Sequence, residues 1–183
     1  DLFTGEPFEG SLAARITVGE NGVVENQMIS PLTSVLVDVE EDDKQGVLDA
    51  FGLDTSDLEA DFLDISGYSA NRVNSAIKLH KVVSLLAKVF TEQYNEFGEE
   101  RSFPETPNAI IYKALAKAID DQGALNSAAI NAAFTASQAS IVDLYAADDD
   151  LDFPGNSNGS AAIANAVNIL DVVDCDSTVE LLA

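Results

Sequence analysis

Apolar residues recur at helical spacing over most of the chain, and the longest such run lies between Ser69 and Phe97. Plotted at about 100° per residue, Leu79, Val82, Val83, Leu86, Phe90, Tyr94 and Phe97 fall within one arc of about 120°, the pattern of a core-facing helix. Val73, Ile77, Leu85 and Val89 lie outside that arc, so apolar surface continues round much of the cylinder. A helix apolar on more than one side is expected to be covered on more than one side. Ser69 suits its N-cap and Gly98 its left-handed stop. At about 1.5 Å per residue the helix spans roughly 40 Å, the width of a small domain.

The remaining elements read as pieces packed against it. Leu12, Ala14, Ile16 and Val18 alternate with smaller or polar neighbours, which predicts a strand with one buried face. Asn21-Gly22 follows, and Val23 to Ile29 suits a returning strand. A lone hairpin is marginal in water, so this one must lie on the helices or pair with a strand of another chain. Ser30-Pro31 starts a short helix carrying Leu32, Val35, Leu36 and Val39, which runs into Glu40-Glu41-Asp42-Asp43. Val47, Leu48, Ala50 and Phe51 form another short apolar face ending at Gly52, and Asp54 to Asp64 resembles a further capped turn. Thr106-Pro107 repeats the Ser30-Pro31 device ahead of Ile111, Leu115 and Ile119, and Gly123 closes that helix. Ile130, Ala133, Phe134, Ser137, Ile141, Leu144 and Tyr145 mark the next stripe. After an acidic loop at 148–159 the last helix covers about Ser160 to Val173. The fold class is therefore mainly α: a helical bundle around a long central helix at about 69–97, with a small N-terminal β-hairpin. Residues 1–30 form the extended segment and 31–183 the bundle, one domain overall.

Composition narrows the partners. Nine Lys+Arg against 32 Asp+Glu give a net charge of −23, while 46% hydrophobic residues supply a real core. A field of that sign repels nucleic acid and anionic membranes and keeps the chain dispersed in salty water, which suggests a marine or high-salt extracellular setting. No apolar window is long enough to span a bilayer. A single cysteine, Cys175, excludes an internal disulfide and cysteine-based metal sites. The chain opens at Asp1 without methionine, as expected of a processed or excised piece of something longer.

Few stretches carry candidate chemistry. Lys78, Lys81 and Lys88 project within about 80° of one another on the long helix, which has no carboxylate from Ala70 to Thr91. The bland account is a face neutralised by surrounding acids; the sharper one is a docking face for an acidic partner or another copy of the chain. Asp148, Asp150 and Asp152, with Asn156 beyond, have the 1, 3, 5 spacing of hard oxygen ligands for calcium. Phe153 stands where that loop needs glycine, and the closing glutamate is missing, so a solvated acidic loop competes with the calcium reading. His80 has no nucleophile at a telling spacing, and the aspartates beside Cys175 raise a thiol's pKa, the wrong direction for a nucleophile. No carboxylate pair is privileged for hydrolysis, and neither a phosphate loop nor HExxH occurs.

Three stretches carry a resemblance: Phe3-Thr4-Gly5-Glu6-Pro7-Phe8-Glu9-Gly10-Ser11-Leu12, then Ile29-Ser30-Pro31-Leu32-Thr33-Ser34-Val35-Leu36, then Leu48-Asp49-Ala50-Phe51-Gly52-Leu53-Asp54. Together they resemble a module of very large bacterial surface and adhesion-type proteins. In that module a TGxPFxGxL strand leads to a PLTTLL helix start and an A-L-G-L turn. This chain has Thr33-Ser34 where two threonines are common, and the half beyond Glu99 matches no pattern of the module. The resemblance implies a secreted, non-enzymatic structural or adhesive unit at the cell surface, with no cofactor beyond calcium. One variant polymerises into a filament, with Leu12, Ile16 and Val18 adding a strand to the next copy. The competing readings are a calcium-dependent binding module and a secreted carboxylate hydrolase.

Overall fold

A computed structural model of the chain describes residues 12–14, 29–58, 70–96, 106–146 and 159–172. The described residues form a mainly helical bundle: α1 (Pro31–Val35), α2 (Lys44–Asp49), a 3-10 turn at Thr55–Leu58, α3 (Ala70–Glu96), α4 (Pro107–Gln122), α5 (Ser127–Ala146) and α6 (Gly159–Val172). α3 is the axis. It packs against α1, α4 and α6, while α4 pairs with α5, and α2 lies on α4. No helix among the described residues is long and apolar enough to cross a membrane.

The periodicity of α3 translates directly into burial. Leu79, Val82, Val83 and Leu86 are wholly removed from solvent, and Phe90 is nearly so. Val73 and Val89, outside the main arc, are buried as well, so the helix is covered on more than one side as its pattern requires. Each such side chain contributes about 1.5–3 kcal/mol relative to exposure. Truncating a residue at the axis, such as Leu86→Ala, costs about 2–5 kcal/mol because the cavity cannot collapse. Phe90 also stacks on Phe134 of α5, with ring centroids 5.0 Å apart, tying the axis to the second layer.

Local chemistry sets the helix ends. Thr106 stands in extended conformation and accepts from the Ala109 N–H at 3.3 Å, with Pro107 opening the helix. Gly123 ends α4 at φ 64°, a left-handed position that glycine takes without a Cβ clash. Asn126 accepts from the Ala129 N–H at 2.9 Å to start α5. Asn71, in the first turn of α3, donates to the carbonyls of Phe51 and Gly52 at 2.7 and 3.0 Å, fastening the turn after α2 to the axis.

Three expectations are revised or unmet. None of the described residues is in a β-strand; Leu12–Ala14 have no regular secondary structure, and residues 15–28, the body of the expected hairpin, lie outside the described set. The helix beginning at Pro31 does not reach Val39. It ends at Val35, and Leu36 and Val39 are buried from successive turns instead. The Leu36 N–H bonds back to the Thr33 carbonyl at 3.2 Å and the Val39 N–H to the Leu36 carbonyl at 3.2 Å, three-residue spacings that tighten the chain ahead of the acidic run. Of the capped segment at Asp54–Asp64, Thr55–Leu58 is a single 3-10 turn, and residues beyond 58 are outside the described set.

Candidate functional site

The most specific polar constellation surrounds the start of α1. Ser30 is extended (φ −146°, ψ 169°) and its hydroxyl accepts from the Thr33 N–H at 3.2 Å. The Thr33 hydroxyl answers by accepting from the Ser30 N–H at 2.8 Å, a reciprocal cap that fixes both side chains. Ser34, buried on the next position, accepts from the main-chain N–H of Ala13 at 2.9 Å, across 21 residues of sequence. The Ala13 carbonyl in turn lies 3.1 Å from the Ser34 hydroxyl and 3.2 Å from that of Thr33. Each of these hydroxyls has a second acceptor in the Ser30 carbonyl, at 2.7 Å from Ser34 and 2.9 Å from Thr33. Ser34 thus accepts from the Ala13 N–H, and each of the two hydroxyls has one proton to give either to the Ala13 carbonyl or to that of Ser30.

Of the segment's side chains only those of residues 12–14 are described. Ala13 points to solvent, whereas Leu12 is half-buried and packs against the bundle core. Main-chain hydrogen bonds hold the segment and Leu12 fixes its register. Of the residues expected to add a strand, Leu12 is thus turned toward this chain's own core, and Ile16 and Val18 lie outside the described residues. Of the Ser30, Thr33 and Ser34 hydroxyls only that of Ser30 was legible in the sequence as a cap, and Thr33 and Ser34 stood there only as part of a resembling stretch. Their role here has a local signal, adjacent hydroxyls in the first turn of a helix, but nothing local names Ala13 as the partner.

The basic face of α3 is formed as the spacing requires. Lys88 is exposed, and Lys78 and Lys81 are half-buried beside the half-buried Ile77 and Leu85. Arg72 does not join them. It lies seven residues before Leu79, hence within about 20° of it on the core side, and is buried and engaged with a partner of its own. Among the described residues the one ion pair joins Lys44 to Glu41, far from this face in sequence. His80 is half-buried between the basic face and the core. Burial, and then the charge of Lys81, hold its pKa below the usual histidine value.

Asp148, Asp150, Asp152 and Asn156, the calcium candidates, lie outside the described residues, as does Cys175. Among the described residues no three His, Cys, Asp or Glu side chains converge as metal ligands would. The chain matches no family model, no curated protein and no solved structure.

Proposed function

We propose that this chain is a non-enzymatic structural or adhesive module of an extracellular bacterial surface protein, a rigid helical spacer fastened through its N-terminal segment. What supports this reading is the grip of Thr33 and Ser34 on Ala13. It brings the residue that follows the first resembling stretch onto the middle of the second, and gives both a shared physical purpose. Main-chain hydrogen bonds to Ala13 and the packing of Leu12 are contacts that do not depend on which copy supplies the segment. In the self-assembling form of the proposal, the N-terminal segment of one copy occupies the Thr33–Ser34 site of the next and completes its pairing there. Exchange of an identical element is a low-cost route to assembly, and it supplies the specific contact that two chains of charge −23 need before they can associate.

The experiment is electron microscopy and light scattering of the full chain across salt concentration, repeated after deletion of residues 1–18 and with Ser34→Ala. Assemblies that vanish with either change support self-assembly through the segment. A chain that stays monomeric at every concentration and salt removes the filament form and leaves the single-copy spacer. Turnover of a polysaccharide or peptide substrate by the full chain would overturn the non-enzymatic reading.

A further inference from the structure

An open trough of about 850 Å³ runs along α4 on the side away from α3. α4 forms its floor, with Ile110, Lys113, Ala114 and Lys117 facing up. One wall is α5, presenting Ala132, Ala136 and Ser140 at four-residue spacing; the other is the segment between α1 and α2, presenting Asp38, Glu40 and Asp43. Asp121 and Asp143 stand toward the ends. From Ile110 to Asp121 the floor is about 16 Å long at 1.5 Å per residue, and a helix of about 10 Å diameter sunk to half its depth over that length occupies roughly 600–700 Å³. Among the described residues the trough is large enough to take a helix sunk to half its depth.

Its walls differ in kind. α5 carries no charged residue from Ser127 to Val142, in a chain where 22% of residues are charged, and its trough side is all small. Small residues at four-residue spacing let another helix approach closely, with ridges of one helix entering the grooves of the other. The facing wall sets three carboxylates, Asp38, Glu40 and Asp43, around the buried Val39 and Val47. Counting the ends and Asp120, the described residues of the lining hold six carboxylates against two lysines. Lys113 and Lys117 stand four apart in the floor, so they repel a peptide that is cationic all round.

We propose that this trough docks an amphipathic helix of a partner protein. The helix has small residues on the side that meets α5, basic residues along the flank that meets Asp38, Glu40 and Asp43, and no cation on the side that meets Lys113 and Lys117. A second copy of the chain is the poorer occupant, since it brings another 23 negative charges to an acidic wall. The proposal is independent of the role of the N-terminal segment.

The test uses the full chain and two fluorescent alanine-based peptides of identical composition, one with its lysines on a single flank and one with them distributed round the helix. Fluorescence anisotropy at about 150 mM salt, where exposed long-range attraction is screened, should show the one-flank peptide binding at least about tenfold tighter. Ala136→Arg, an exposed change that fills the small-residue wall with a cation, should weaken that binding at least about tenfold. Asp171→Asn, on the exposed surface of α6, should leave it unchanged. Equal affinity for the two peptides, indifference to Ala136→Arg, or no binding to the unaltered chain would each overturn the proposal. Concentration-dependent dimerisation without peptide, abolished by Ala136→Arg, would overturn it in favour of a copy-to-copy interface.

Discussion

Replacing Ser34 with alanine removes the hydroxyl that accepts from the Ala13 N–H and lies within donating distance of the Ser30 and Ala13 carbonyls. Each net hydrogen bond is worth about 0.5–1.5 kcal/mol, and the Ala13 N–H loses its acceptor at a part-buried position, for about 1–3 kcal/mol in all. The gain in helix propensity on going from serine to alanine returns about 0.5 kcal/mol. The expected net loss is about 0.5–2.5 kcal/mol, or roughly 1–10 °C in Tm for a chain of this size. The distinguishing readout is coupling. If Ser34 acts by holding the segment that Leu12 anchors, Leu12→Ala and Ser34→Ala should cost less together than the sum of their separate effects, by about 0.5 kcal/mol or more. Urea unfolding of the two single variants and the double variant, at constant m, measures this. A loss from Ser34→Ala below about 0.5 kcal/mol, or strict additivity with Leu12→Ala, would refute the reasoning. In that case Ser34 only closes the first turn of α1.

Three further outcomes follow from the packing. The Ser137 hydroxyl is buried on α5 without a hydrogen-bond partner among the described residues, so Ser137→Ala should raise stability by about 1 kcal/mol, measured by urea midpoint, through relief of desolvation and better helix propensity. Gly52 and Gly123 share φ 64°, but an added Cβ would lie 3.0 Å from the Asn71 amide nitrogen at Gly52 and meet nothing at Gly123. Gly123→Ala should therefore cost about 1–2 kcal/mol, and Gly52→Ala measurably more, with Asn71→Ala narrowing the difference in denaturation experiments. Burial pushes the Tyr112 phenol well above its usual value of 10.0. The folded chain keeps this proton where the unfolded chain sheds it, so the stabilisation is complete below about pH 10 and is lost above it by up to about 1.4 kcal/mol per pH unit. Tyr112→Phe should flatten that alkaline limb in melts at successive pH values; an unchanged slope would mean that the phenol ionises in place.

The sequence by itself determined the axis and the caps of α4, while Ser69 and Gly98, the caps expected for the axis, lie outside the described residues. Leu79, Val82, Val83 and Leu86 recur on one side because 3.6 residues complete a turn, and burial of that side follows from periodicity alone. Thr106, Pro107 and Gly123 act within one turn of their own backbone, so their roles needed no tertiary partner. Tertiary structure alone decided the rest. Nothing local distinguishes a Ser34 that only caps a helix from one that also holds Ala13 21 residues away. Nor does spacing within α5 say that Ala132 and Ala136 face an acidic wall built by another part of the chain. Backbone hydrogen bonding and side-chain periodicity are short-range and repeat with the helix. Which surfaces meet depends on the closing of loops and the fit of whole helices, and that information is spread over the entire chain.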